Sequence, residues 1–407
     1  MANLEVKLPN QSRYALYSPS FRTYMGGSLV ASVGEWMDIV ALNWAALQMT
    51  DSPMLLALIN ACRLVPIFVL SFPAGMLADR YNRRKLLIGI QTFVTLLTFA
   101  LGALLMTGAG FWMFAALVTA RSVLMAMDPP VRNSMIPNLV EESAIPSAIA
   151  LNTTVLNLSR IVGPATAGLL LTVIEPAQIF YVSGAALLVE LICLCVIRMR
   201  PQRHRPAPKK AKAGMGEALI YIRRHPNVQS LLILAIVPMV FGFPYSSMMP
   251  LFAQDLYQLG PDGFGALLSV SAAGAIIGSF WLSLVGGRIG AGKWLVCSVI
   301  GFGVSLAAFM LMKDFFTAAC AMFLVGLTSQ TYRTLSRMTI QMQVPDHLRG
   351  RIMSIALMDR GFIPLGALLI GMVATQFGTL SAGLMMGVCC VTITLIMLAA
   401  RRQIWEL

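Results

Sequence analysis

Gly75-Met76-Leu77-Ala78-Asp79-Arg80-Tyr81-Asn82-Arg83-Arg84-Lys85 directly follows an apolar run near residues 53–78. The order of its residues has a physical reading. A small residue, Gly75, lets two helices approach closely. A carboxylate at a helix end, Asp79, precedes the guanidiniums of Arg80, Arg83 and Arg84, and together they make a charge-paired latch against neighbouring helices. The run before the latch is long enough to cross a hydrocarbon core of ~30 Å, which takes about 20 helical residues. The run after it, near 85–108, is long enough as well.

Working outward, further runs fall near 21–47, 110–137, 147–173 and 178–198. A second set falls near 227–254, 263–285, 293–312, 315–340, 351–375 and 379–400. The runs are too long, and alternate too little, for barrel strands. Composition agrees: 57% of the 407 residues are hydrophobic and only 12% are charged, which excludes a soluble fold and intrinsic disorder. Seven cysteines, all inside apolar runs, exclude a disulfide scaffold, and no metal cluster is expected. The expected protein is an all-α polytopic membrane protein with twelve transmembrane helices. Its net charge of +13 is read as basic inner loops and contact with anionic lipid rather than as nucleic-acid binding.

The twelve runs divide six and six. Residues 1–20 form a polar amino-terminal segment, 21–198 one six-helix bundle, 199–226 a basic linker, 227–400 a second bundle and 401–407 a tail. Prolines and like charges make the first part of the linker extended. Its end, Gly216–Arg224, reads either as a short helix on the membrane surface or as a plain spacer. The halves repeat: Ile149-Ala150-Leu151 returns as Ile355-Ala356-Leu357, and Arg132 as Arg337, at nearly one spacing. This points to two pseudo-symmetric bundles with a site between them at mid-membrane. Lysine and arginine collect on alternate loops, and only Lys313 falls on the other side, which places both termini in the cytoplasm.

The 75–85 stretch closely resembles the signature loop of the major facilitator superfamily, Gly-x-Leu-x-Asp-Arg-x-Gly-Arg-Arg/Lys. Asn82 replaces the commoner Gly, and Asn tolerates the left-handed backbone such a turn would use. Asn157-Leu158-Ser159-Arg160-Ile161-Val162-Gly163-Pro164-Ala165-Thr166-Ala167-Gly168 resembles the Gly-Pro element of drug:proton antiporters. Leu348-Arg349-Gly350-Arg351-Ile352-Met353-Ser354 and Tyr221-Ile222-Arg223-Arg224-His225-Pro226 look like features of the branch that includes macrolide and enterobactin (siderophore) exporters. The equivalent latch in the second half, Gly286 to Lys293, keeps its positive charge and lacks an acid. The resemblance implies two bundles rocking around a central cavity, with Gly163, Pro164 and Gly168 as a helix bend. It also implies a gating latch of Gly75, Asp79, Arg80, Arg83, Arg84 and Asp128, with Asp359 near its docking point.

Charges inside the runs are costly, about 2.5–3.5 kcal/mol each near mid-bilayer, and each needs a reason. Glu35 and Asp38 are three residues apart on one helical face, and Arg63 and Arg121 lie at mid-depth. By the resemblance, spans one and four line the cavity, and Arg121 fits an arginine motif in which Met125 replaces the usual Gly. Glu35, Asp38 and Arg121 are therefore the expected proton-coupling group, since two close carboxylates in low dielectric do not easily both ionise. The alternative is a static network in which Arg63 holds one of the acids. Trp36, Arg63, Tyr245, Tyr332 and Arg333 are the expected substrate cavity, with helix packing as the alternative for the aromatics. Arg333 either attracts an anion or snorkels to the interface with Arg337.

The function expected is proton-coupled efflux of a bulky amphiphilic organic molecule by alternating access. The expected setting is a bacterial-type plasma (inner) membrane, with a monomer working on a small-molecule substrate, protons and lipids. The chain carries no nucleotide-binding lysine loop, so the proton motive force replaces any cofactor, and no enzyme activity is expected. A lipid or lysolipid translocator and a non-transporting sensor are the other two readings.

Overall fold

The computed structural model describes residues 14–80, 82–197, 215–285, 290–401 and 405, with side chains for all of these except 71–80, 215 and 285. The side chains of Gly75, Asp79 and Arg80, most of the amino-terminal segment and basic linker, and most of the second-half loop lie outside the described residues.

Every described segment is helix or connection. The first half holds α1 (Pro19–Thr50), α2 (Pro53–Arg80), α3 (Arg83–Met106), α4 (Phe111–Met125), α5 (Asp128–Met135), α6 (Ile145–Leu170) and α7 (Pro176–Val196). A short helix α8 (Met215–Arg224) precedes α9 (Pro226–Phe241), α10 (Tyr245–Tyr257), α11 (Pro261–Val285) and α12 (Ala291–Leu311). The chain ends with α13 (Phe315–Gln343), α14 (Asp346–Leu357), α15 (Ile363–Phe377) and α16 (Thr379–Ala400). Local chemistry sets the boundaries. Ser18 caps α1 by accepting from the Phe21 amide, with Pro19 in the first turn. Asn82 caps α3 by accepting from the Lys85 amide at 3.2 Å, with an extended backbone. The left-handed turn expected at Asn82 is absent, because its side chain does the capping.

Among the described residues, ten segments are long and apolar enough to cross a membrane. Three of them are broken. Residues 111–138 contain α4 and α5, parted just before Asp128 and the Pro129-Pro130 pair. Residues 226–257 contain α9 and α10, parted at Gly242–Pro244. Residues 346–377 contain α14 and α15, joined by a 3-10 turn at Met358–Phe362. Proline starts or ends a helix here because it lacks the amide hydrogen and fixes φ. The two long helices outside the ten are α1 and α6. Their apolar windows are interrupted by Glu35, Asp38 and Asn43 in α1, and by Asn152, Asn157 and Arg160 in α6.

Helices α1, α3, α6 and α7 pack together, and so do α11, α12, α13 and α16. Two seams join the groups, α6 on α11 and α2 on α15. At the first seam backbones touch: a side chain on Gly265 would strike the Pro164 carbonyl, and one on Gly168 would lie 2.7 Å from the Pro261 carbonyl. Ser269 Oγ donates across the same seam to the Ile161 carbonyl at 2.8 Å. Helix α6 runs unbroken through Pro164, and Gly163 and Gly168 give it close approach to α1 and α11. At the end where α1 finishes, the far end, Trp44 stacks on Phe264 with ring centroids 6.2 Å apart.

Candidate functional site

Three charged groups occupy the middle of the molecule. The first joins α1 to α4. Arg121 donates two parallel hydrogen bonds to Asp38, Nη1 to Oδ1 and Nη2 to Oδ2, both 2.6 Å. The two residues are 3% and 6% exposed, so the pair is desolvated. Arg121 Nη1 also donates to Thr98 Oγ1 at 3.2 Å, and its Nε is buried without a partner. Such a fork-to-fork pair is the strong form of the ion pair.

The second group centres on Arg132 in α5. Its Nε donates to Asp128 Oδ1 at 2.7 Å and its Nη2 to Asp128 Oδ2 at 2.9 Å. Its remaining donors reach Glu190 of α7, which is 1% exposed. Gln91 of α3 donates to Asp128 Oδ2 at 2.7 Å. Glu35 belongs with this group more than with Arg121. It is partly buried, and the charges acting on it are those of Arg132 first, then Asp128, Glu190 and Asp38. Glu35 makes no ion pair among the described residues. Arg63 sits in the fields of Asp38, Arg121 and Glu35, and likewise has no ion pair among the described residues.

The expected Glu35, Asp38 and Arg121 group is therefore divided. Asp38 takes Arg121, which leaves Glu35 facing the inner cluster, and the static bridge from an acid to Arg63 is not formed. The latch also differs from expectation. Asp128 pairs with Arg132, one turn along its own helix, rather than with Arg83. Arg83 donates to the Ser134 carbonyl at 2.9 Å and Arg84 to the Leu194 carbonyl at 3.0 Å. Both carbonyls lie in the last turn of a helix, where cations are favoured. Glu190 is a buried partner of Arg132 that was not singled out from sequence. The pattern at 128 and 132, an acid followed by an arginine four residues on, was the available signal.

The third group lies between the halves. Arg333 and Arg337 are one turn apart on α13 and line a cavity of about 250 Å³ with Gln330, Thr334, Met338 and Gln341. Arg360 and Arg160 act electrostatically on Arg333. Asp359 feels Arg337 first, then Arg360 and Arg333, and its Oδ1 is buried without a partner. Asp359 thus belongs to this arginine group, although Gly361 beside it packs against Phe68 of α2. Arg160 lies over the Trp36 ring at 5.6 Å, and Arg333 over the Phe243 ring at 5.4 Å. Gly163 sits under Trp36 and holds α6 against α1 there. Tyr245 and Tyr332, expected in the cavity wall, are packing residues. The Tyr245 hydroxyl pairs with Ser271 Oγ at 2.8 Å, Tyr332 donates to the Ala235 carbonyl at 2.7 Å, and both rings are buried. Arg160, Arg337 and Arg360 were not singled out from sequence as cavity residues. Of these, only Arg337 had a signal, its one-turn spacing from Arg333.

Residues 12–406 match the family described as transmembrane secretion effector. The staphyloferrin A transporter of Staphylococcus aureus is 28% identical over 94% of this chain and 96% of its own. Macrolide efflux protein A of Streptococcus pyogenes is 23% identical over 90% and 92%. The multidrug efflux pump Tap of Mycolicibacterium fortuitum is 24% identical over 86% and 88%. Among solved structures, a bacterial homologue of the human lysosomal transporter Spinster superposes with a TM-score of 0.72 at 17% identity, covering 95% and 96% of the two chains. A D-xylose–proton symporter superposes with a TM-score of 0.72 at 13% identity, covering 94% and 97%.

Proposed function

The chain belongs to the transmembrane secretion effector family of major facilitator transporters, and on that basis we propose that it is a proton-coupled exporter of a bulky organic molecule. The substrate is drug- or siderophore-like, in keeping with relatives named for staphyloferrin A, macrolide and multidrug transport. The protein crosses a bacterial inner membrane twelve times, with α1 and α6 as the two spans whose polar residues serve the site. Both termini are cytoplasmic, the protein works as a monomer, and the proton motive force is the drive.

The observation that carries this reading is the unequal treatment of the two acids in α1. Asp38 is locked to Arg121 by two 2.6 Å bonds, whereas Glu35 has no ion pair among the described residues. Asp38 is held by Arg121, and Asp128 and Glu190 share Arg132, so of these four acids Glu35 is the one left without an ion pair among the described residues, and it is the proton carrier in this reading. Glu35 takes up that proton when the cavity faces outward and substrate departs. It gives the proton up when the cavity faces the cytoplasm and Arg63 favours its ionised form. With the termini inside, the Trp44–Phe264 contact joins the two halves at the outer end, while the cavity along α13 lies toward the cytoplasmic end.

The test is uptake of a substrate panel into inverted membrane vesicles under an imposed pH gradient. Accumulation that collapses with the gradient supports the reading. Accumulation that survives collapse of the gradient contradicts it.

A further inference from the structure

We propose that Arg333, Arg337 and Arg360, with Arg160 from the facing half, form an oxyanion-binding site, and that the exported molecule is a soluble organic polyanion bearing several carboxylates. The inference rests on the exporter reading and adds the chemistry of its cargo.

Three guanidiniums, Arg337, Arg360 and Arg333, act on one carboxylate, Asp359, and Arg160 of the facing half acts on Arg333 and Arg360. Arg333 feels Arg360, Arg160 and Arg337, and Arg360 feels Arg337, Asp359 and Arg160. None of the four guanidinium groups makes a hydrogen bond or ion pair to another described residue. Arg333 Nε and one terminal nitrogen of Arg337 are buried without a partner. The contrast with the first half is direct, since there Arg121 and Arg132 each bind carboxylates through two donors.

Arg333, Arg337 and Arg160 are half-buried and Arg360 is exposed, and unpaired cations gathered this way repel one another, so the arrangement favours any ligand that brings the missing negative charge. Its donors suit carboxylates in particular. The planar fork of each guanidinium accepts a carboxylate through two bonds, and Gln330, Thr334 and Gln341 add neutral donors along the same cavity. Two of the arginines are already braced by aromatic rings, Trp36 and Phe243, which fixes their planes. One ligand spanning Arg160 and Arg333 touches both halves and is sensed by whatever movement separates them.

The experiment uses the full-length protein in nanodiscs of zwitterionic lipid, with citrate as the probe and calorimetry as the readout. Citrate binds, and raising the salt concentration weakens it, because a polyanion on several cations is screened. Arg333→Gln with Arg337→Gln lowers affinity about ten- to a hundredfold, the worth of one or two charge-assisted bonds. Arg360→Gln, at an exposed position, lowers affinity with the fold intact, and Arg333→Lys restores only part of it. Equal citrate affinity in wild type and variants overturns the proposal. So does tighter binding of a lipophilic cation, or arginine-dependent binding confined to discs containing anionic lipid, which would assign the site to a headgroup. The two levels fail separately. Citrate binding without gradient-driven transport removes the exporter reading alone. Gradient-driven transport of a neutral macrolide, unaffected by the arginine variants, removes the anion site alone.

Discussion

At the residue scale, the two acids of α1 separate structure from coupling. Removing one member of a buried ion pair leaves the other charge unpaired in low dielectric, which costs about 3–5 kcal/mol. Asp38→Asn is therefore expected to lower thermal stability in detergent by that amount. Replacing Asp38 and Arg121 together with apolar residues of similar volume is expected to recover most of it. Glu35→Gln leaves no partner stranded and is expected to cost less than about 1 kcal/mol. Melting curves of the purified variants check this order, and equal losses for Asp38→Asn and Glu35→Gln would remove the distinction. Lys at position 121 keeps charge without the fork and is expected to rescue only in part. The acids themselves were legible in the sequence as costly charges inside an apolar run. Their partners were not, because the choice between Arg63, Arg121 and Arg132 depends on helix rotation, which spacing along one helix does not give.

At the element scale, α6 is the hinge between composition and motion. Its polar residues interrupt the apolar window, and its glycines let it touch α1 and α11 backbone to side chain and backbone to backbone. A leucine at Gly265 has nowhere to go, since the Pro164 carbonyl and the Gly168 backbone occupy the space. Overpacking of this kind typically costs 1–3 kcal/mol and here acts on the seam between the halves. Gly265→Leu is expected to reduce folded yield or to fix the relative position of the halves. Size-exclusion profiles and the accessibility of cysteine probes on α13 distinguish these from an unchanged protein, which would show that the seam is not tight. The broken span at 226–257 was legible, because Pro238, Gly242, Pro244 and Pro250 crowd one run. The continuity of α6 through Pro164 was not, because neighbouring helices and side chains can satisfy the carbonyl that proline frees. The break at α4 and α5 was missed for the opposite reason: Pro129 and Pro130 were read as part of one long span.

At the scale of the whole molecule, the helical class and the membrane setting followed from composition and run length, which are coarse and redundant signals. The latch motif added the superfamily. Sidedness still calls for a direct check: a reporter fused after Arg205 is expected to read cytoplasmic and one near Asp262 external, and finding both on one side would remove the six-plus-six arrangement. The pairing of charges across helices α1, α4, α5 and α7 depends on tertiary packing and was only half visible beforehand. That pairing leaves Glu35 without an ion pair among the described residues, so the proposal that Glu35 carries the proton is best met by measuring proton movement itself. The purified protein is reconstituted in liposomes with a pH-sensitive dye inside, and substrate is added outside with no imposed gradient. Wild type is expected to move protons opposite to substrate, and Glu35→Gln to exchange substrate with no proton signal. A Glu35→Gln protein that still moves protons with its substrate would contradict the account.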